Sequence, residues 1–193
     1  MSRLKRAFDV VGAFGGLAVF GPLLALAAIA IRLDDGGPVL FRQERLGHGR
    51  RPFWILKFRS MRDGRVTRVG RVLRATGLDE IPQFVNILRG EMSAVGPRPL
   101  TPADVDRLGW WGADAEFRWS VKPGLTGLAQ LMRAQSAPES LELDRVYCLR
   151  WDPALDCQLI AISFAVNVFG KARVRQWLSR PATPLAARPS APH

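Results

Sequence analysis

The sequence predicts an α+β chain. An N-terminal membrane helix is followed by a small domain with a β-hairpin and several helices, some of them interfacial. Three observations predict this. Val10 to Ile31 is a run of 22 residues without a charge. Two strand-like apolar runs, Val39-Leu40-Phe41 and Phe53-Trp54-Ile55-Leu56, flank the turn residues Gly47-His48-Gly49. Farther on, Ile81, Phe84, Val85 and Leu88 recur at i, i+3, i+4, i+7, the spacing of one helix face. The 193 residues divide into an anchor (1–32), a folded domain (33–170) and a tail (171–193) that is first basic, then Pro/Ala-rich and expected to be disordered.

A straight helix of 22 residues would be about 33 Å long, close to the thickness of a bilayer's hydrocarbon. The run exceeds a signal-peptide core and leads directly into Arg32-Leu33-Asp34-Asp35, with no cleavage site between, so a retained anchor is expected. Gly21-Pro22 lies at its middle, where the missing N–H and the proline ring should break the helix. Arg3, Lys5 and Arg6 precede the run and Arg32 follows it, so the positive-inside rule puts both ends in the cytoplasm. A helix that re-enters the same face satisfies both observations; a tilted single span with a tolerated proline is the alternative.

From Phe41 to Arg74 the chain carries 11 Lys+Arg against 2 Asp+Glu, most of the net charge of +11. The bases are interleaved with apolar and turn residues, so the stretch folds, as a hairpin with basic edges and then a short helix over Arg68 to Arg74. It belongs beside an anionic surface, lipid headgroups or phosphorylated substrates. Asp79 reads as the N-cap of the next helix, Pro82 falls in its first turn, and Gly90 ends it. That first turn should expose Asp79, Glu80 and Gln83. Ser93 to Pro99 reads as a rigid loop with Arg98 held between Pro97 and Pro99. Residues 100–120 read as helical, Lys122 to Gly127 as a turn, and Cys157 to Gly170 as a helix too short to span.

Composition removes several chemistries. With two Cys and two His, and no C-x-x-C or H-E-x-x-H, a zinc site lacks ligands. A Ser-His-Asp triad would rest on His48, because His193 is the last residue. The two cysteines make no disulfide framework, and no phosphate-binding glycine motif is present. The adjacent acids Asp79-Glu80 have an ordinary explanation, since carboxylates at a helix start favour the macrodipole. Their setting suggests more. Lys57, Arg59, Arg71 and Arg74 lie upstream and Arg98 downstream, which suits phosphate plus a divalent cation. The acids would hold Mg²⁺ or attack phosphorus, and the bases would neutralise phosphate oxygens.

Many segments, in order, then match a known pattern: Lys5-Arg6-Ala7-Phe8-Asp9, Gly37-Pro38-Val39-Leu40-Phe41-Arg42-Gln43-Glu44-Arg45 and Lys57-Phe58-Arg59-Ser60-Met61. They continue with Leu73-Arg74, Leu78-Asp79-Glu80-Ile81-Pro82-Gln83, Met92 to Pro99, Lys122 to Gly127, and Asp144 with Tyr147. From about Lys5 to Phe169 the chain resembles the bacterial sugar transferases that act on polyprenyl phosphate, the small monotopic phosphoglycosyl transferases. The resemblance makes 33–170 the catalytic domain. It implies transfer of a hexose-1-phosphate from a UDP-sugar to undecaprenyl phosphate with release of UMP, at the cytoplasmic face of the bacterial inner membrane. It implies Mg²⁺ held at Asp79 and Glu80, and Asp79 as nucleophile through a phospho-aspartyl intermediate. Glu80 would bind metal or handle a proton, Arg74 would be a phosphate ligand, and Pro97, Arg98 and Pro99 would lie near the nucleotide. Lys57, Arg59, Gln83 and Asp144 complete the candidate substrate-binding set. Expected partners are the two substrates and membrane lipids, with no nucleic acid; a homodimer is left open.

The chain departs from the pattern in places. The segment between Met61 and Thr67 is short, Leu128 to Arg133 lacks the Trp and Asn-Gly of many members, and Gly21 stands where Ser is usual before Pro22. With no long multi-span region ahead of the anchor, the minimal catalytic form is expected. The rival from another class is a non-enzymatic, membrane-anchored basic module that binds nucleic acid or anionic lipid through residues 42–74.

Overall fold

The computed structural model describes residues 3–169; the predicted basic segment and Pro/Ala-rich tail lie outside the described residues. Helix α1 (Arg3–Asp35) leads into the hairpin β1 (Leu40–Leu46) and β2 (Pro52–Phe58). These pair antiparallel, with Phe41 opposite Lys57 and Arg45 opposite Phe53. A two-residue hairpin, β3 (Met61–Arg62) and β4 (Arg65–Val66), precedes α2 (Arg68–Thr76), which Thr67 caps by accepting from the Gly70 N–H at 2.9 Å. Next come α3 (Gln83–Arg89), β5 (Ser93–Val95), α4 (Pro102–Leu108), the single turn α5 (Glu116–Trp119), β6 (Gly124–Thr126), α6 (Leu128–Met132), α7 (Ala137–Leu149) and α8 (Pro153–Phe169).

The hairpin forms as expected, with longer strands. The two proline-glycine segments expected to be loops instead supply a parallel pair, β5 and β6, with Ser93 opposite Gly124 and Val95 opposite Thr126. The Ser93 N–H donates to the Pro123 carbonyl and the Gly124 N–H to the Pro97 carbonyl, both at 2.9 Å. Three-residue strands carry no periodicity to read, and the tight approach of two glycine-rich backbones is visible only in three dimensions.

Helix α1 runs as one helix through Gly21 and Pro22, where a break is expected. Proline removes only its own N–H, and packing can hold the turn it weakens. The packing holds the helix on either side of the proline, while Pro22 itself is exposed. Lys5, Asp9, Ala13, Ala27 and Ile31 are buried along one stripe. Ala13 joins Phe53, Ile55, Ile87 and Met92 in one core cluster; Ala27 and Ile31 join Phe58 and Leu73 in another. Between them the Phe84 ring lies so close to Gly16 that a Cβ there would collide with it. Polar contacts pin the N-terminal end. Arg6 donates to the carbonyls of Ile87 and Leu88 at 2.6 and 2.8 Å, the last turn of α3. Asp9 accepts from the Ser93 hydroxyl and the Ala94 N–H, each at 2.9 Å. At the other end Asp35 pairs with Arg59, and Asp34 accepts from the Val69 N–H at 3.2 Å. Phe8, Val11, Phe14, Val19, Leu26 and Ile29 remain exposed on the opposite side.

Helix α3 is gripped from two sides. Asn86, fully buried, accepts from the Leu56 N–H at 3.0 Å and donates to the Trp54 carbonyl at 2.8 Å, which locks α3 to the free edge of β2. Its most buried positions are therefore Gln83, Asn86 and Ile87, while Phe84 and Leu88, from the predicted face, are partly buried in the cluster that includes Ala13 of α1. The predicted exposure of Gln83 is corrected: it is 2% exposed, because its turn of α3 lies under the strands. Helix α8 buries Leu159 in a core cluster with Val95, Leu128 and Tyr147 and leaves Ile160 and Phe164 exposed.

Candidate active site

The Asp79-Glu80 pair sits on a tight turn between α2 and α3. Gly77 ends α2 at φ 72°, a left-handed conformation that suits glycine. The chain then makes a 3-10 turn over Leu78–Glu80, with the Glu80 N–H bonded to the Gly77 carbonyl at 3.2 Å. This corrects the expectation that Asp79 is the N-cap of the following helix. Pro82 occupies that position, and no side chain caps either the 3-10 turn or α3. The Asp79 carboxylate therefore caps neither element; the backbone hydrogen bond it accepts is from its own N–H.

An open cleft lies beside this turn. It is lined by Lys57 from β2, Arg45 from β1, Glu80 and Gln83, Arg98 and Pro99, the backbone of β6 at Gly124 and Leu125, and Gln130 of α6. Lys57 Nζ is 2.6 Å from Glu80 Oε1. Asp79 is half-buried beside them. Burial and the neighbouring Glu80 charge push its carboxyl above the usual range, against the pull of Lys57 and Arg74. Arg45 is held down by burial and by the like charge of Arg98, and is stabilised by Asp104 and Glu80. Carboxylates and guanidinium groups thus share one electrostatic environment.

The structure brings together most of the residues the sequence singled out. Lys57, Glu80, Gln83, Arg98 and Pro99 line the cleft, and the charges of Asp79 and Arg74 are coupled to it. Pro97 is buried beneath and accepts the Gly124 N–H, which fixes the loop on β6. Two residues lie elsewhere. Arg59 pairs with Asp35 and ties the anchor's end to β2. Asp144 is 2% exposed and meets Arg118 at 2.8 Å; Arg118 in turn donates to the Arg98 carbonyl at 3.1 Å. Asp144 thus reaches the cleft only through Arg118, as a support for the Arg98 loop.

Arg45 and Gln130 were not among the expected site residues. Arg45 donates to the Pro99 carbonyl at 3.1 Å and spans from β1 to the proline loop. Its signal was available in strand alternation: Arg45 and Gln43 lie on the face of the sheet that carries Lys57 and Ile55. Gln130 had no sequence signal, since it enters from a five-residue helix.

Among the described residues no cluster of three or more His, Cys, Asp or Glu side chains could hold a metal alone. The Asp79-Glu80 pair fits Mg²⁺ nonetheless. That ion is commonly held by one or two carboxylates, with water and substrate phosphates completing its shell.

A profile of bacterial sugar transferases matches residues 1–170. The chain is 48% identical over 155 residues to the UDP-glucose:undecaprenyl-phosphate glucose-1-phosphate transferase of Caulobacter vibrioides, covering 73% of this chain and 58% of that protein. It is 37% identical over 190 residues to the Escherichia coli protein of the same name, covering 88% and 41%. With the exopolysaccharide production protein ExoY of Rhizobium meliloti it shares 35% identity over 187 residues, 81% of each chain. The chain therefore spans little more than half of the first of these relatives and less than half of the second. The profile spans every described residue, the long apolar helix and the α+β domain alike: the chain belongs to the bacterial sugar transferase family.

Proposed function

We propose that the chain transfers a hexose-1-phosphate from a UDP-sugar to undecaprenyl phosphate and releases UMP, with Asp79 as the nucleophile. The single observation that carries this is the uncapped Asp79-Glu80 pair beside a cleft walled by Lys57, Arg45 and Arg98. The relatives' names supply the substrate class.

In the first step an Asp79 carboxylate oxygen attacks the phosphorus that bears the hexose. The bond from that phosphorus to the bridging oxygen breaks, and UMP leaves with the electron pair. In the second step a phosphate oxygen of undecaprenyl phosphate attacks the same phosphorus and expels the Asp79 carboxylate, which is regenerated. Direct attack of one phosphate on another is opposed by charge; splitting the reaction at a carboxylate gives two easier displacements. Lys57, Arg98, Arg45 and Arg74 would offset the charge of the group in transfer. Asp79 and Glu80 would hold Mg²⁺, which when bound supplies further neutralisation at the phosphate oxygens. With the metal and a phosphate present, Lys57 would exchange Glu80 for phosphate.

The acceptor is a membrane lipid, and the exposed apolar side of α1 supports the domain lying on the cytoplasmic leaflet with that side in lipid. A single span fits less well, because the folded domain buries α1 near both ends, at Lys5, Asp9 and Ala13 and again at Ala27 and Ile31. Against the basic-module alternative, Arg45 and Lys57 face the cleft, and Arg50 and Arg59 pair with Glu116 and Asp35; Arg42, Arg51, Arg65, Arg68 and Arg71 stay exposed. The test is a panel of UDP-sugars with undecaprenyl phosphate, read as UMP release. A labelled sugar-phosphate should be trapped on the protein before acceptor is added, and Asp79→Asn should abolish the trap. Transfer without any trapped species, unaffected by Asp79→Asn, would remove the covalent step.

A further inference from the structure

Two amide groups in the cleft are left without partners in a way the charge chemistry does not use. Gln83 is 2% exposed, and its Nε2 is buried with no hydrogen-bond acceptor. Gln130 Oε1 is buried with no donor. Both side chains line the same cleft as Lys57, Glu80 and Arg98. An orphaned buried amide atom is costly unless something supplies its partner, and folded proteins leave few such atoms. Here the two orphans are complementary, one donor and one acceptor, on side chains that line the same cleft.

Taking the cleft as a nucleotide-sugar site, the assignment proposed above, we infer that Gln83 and Gln130 together bind a sugar hydroxyl of the donor. A hydroxyl accepts and donates at a single oxygen, so one group would satisfy both amides. A phosphate oxygen only accepts and would leave Gln130 Oε1 orphaned. The donor carries hydroxyls on the hexose and on the ribose. The hexose is the nearer source: Gln83 is three residues from Glu80, one helical turn from the acids, and the hexose is attached to the phosphorus under attack. Gln130 is then a specificity-determining residue, and its distance in sequence from the dyad explains why the motifs did not mark it.

The full chain in detergent or nanodiscs tests this. The best UDP-hexose from the panel is compared with its single deoxy analogues at each hexose position and at the 2′ and 3′ positions of ribose. Wild type should lose roughly 10- to 100-fold in kcat/KM for one analogue, the effect of leaving a buried polar pair unmatched. In Gln130→Met that ratio should fall to within about threefold of one, with inhibition by UMP unchanged where the sensitive position lies on the hexose and weakened where it lies on the ribose. Collapse at a hexose position or at a ribose position assigns the source. If Gln130→Met lowers turnover of every donor equally, or weakens UMP inhibition with the ratio intact, the inference is wrong. Gln83→Met carries the same comparison should Gln130→Met not fold, and failure of both to fold would make the residues structural and overturn the inference. If wild type releases UMP from no UDP-sugar at all, it is the transferase assignment that fails, a result distinct from each of these.

Discussion

Two carboxylates, Asp79 and Asp144, are both pushed upward in pKa by burial, and they are handled in opposite ways. Asp144 lies under the surface with Arg118 at 2.8 Å, each side chain 3% exposed, and the guanidinium also lies 4.7 Å from the centre of the Trp110 ring. Asp79 sits on an uncapped turn at the edge of an open cleft, next to a second acid, with cations that act through space. The difference separates a charge that holds a structure together from one kept available for chemistry. A buried acid given its own arginine is neutralised in place. An acid at an open edge, destabilised by a like neighbour, gains when a phosphorus or a cation arrives.

The sharpest way to break this contrast is Asp79→Asn. Turnover should fall by roughly 10³-fold or more, as for loss of a nucleophile. Stability should move the other way. Because Asp79 titrates above its unfolded value, the ionised form is disfavoured by folding, so stability falls as pH rises through the window between those two values. Asp79→Asn should therefore melt higher than wild type at neutral pH, and the gap should close in acid. Activity needs the ionised form and should rise with pH through the same raised value. A variant that melts lower at neutral pH would mean that the carboxylate is structural, like Asp144.

Much of this site was legible in the sequence, but unevenly. The dyad, Lys57, Arg74 and Arg98 stood out because charges beside apolar runs and prolines are local signals. Arg45 was recoverable from alternation along β1, where it shares a face with Gln43, but an arginine in a stretch with 11 basic residues does not stand out. The misreadings came from partners distant in sequence. Gln83 was expected on the outside because nothing local reveals that Asn86 ties α3 to Trp54 and Leu56, some 30 residues earlier. Nor does spacing reveal that Arg118 pairs with Asp144 and Asp35 with Arg59. The partners of α1 on either side of Pro22 are equally distant, coming from β2, α2 and α3.

The next largest effect is expected at the clamp. Arg118→Met leaves the Asp144 carboxyl buried without its partner and takes the donor from the Arg98 carbonyl, which should cost about 3–5 kcal/mol, read by denaturant unfolding. Arg118→Met with Asp144→Leu removes both charges and should recover most of that loss. Activity should not recover in parallel, because the Arg98 carbonyl would still lack its Arg118 donor. Full recovery of turnover in the double variant would show that the clamp contributes nothing to the cleft.

A smaller loss is expected where the anchor's N-terminal end is pinned. Arg6→Met removes two charge-assisted hydrogen bonds to the last carbonyls of α3 and should cost about 1.5–3 kcal/mol, with kcat nearly unchanged in the folded fraction. A kcat that falls with stability unmoved would place the anchor contact in the chemistry instead.

The smallest stability change with a disproportionate effect on turnover is expected at Gly77. Its φ of 72° is strained for residues with a side chain, so Gly77→Ala should cost about 1–2 kcal/mol. The nearest atoms to an added Cβ are the Asn167 side chain at 3.3 Å, an approach that a small movement of that side chain can relieve. Strain at this residue acts on the turn that orients Asp79 and Glu80, whereas the Asp144 clamp would not feel it. Gly77→Ala should therefore lower kcat by more than its unfolded fraction explains, and Gly77→Asn, which tolerates the left-handed region better, should recover part of the loss. Equal and small effects of both on kcat would mean that the turn is set by its hydrogen bonds alone, from the Glu80 N–H to the Gly77 carbonyl and from the Ile81 N–H to the Leu78 carbonyl.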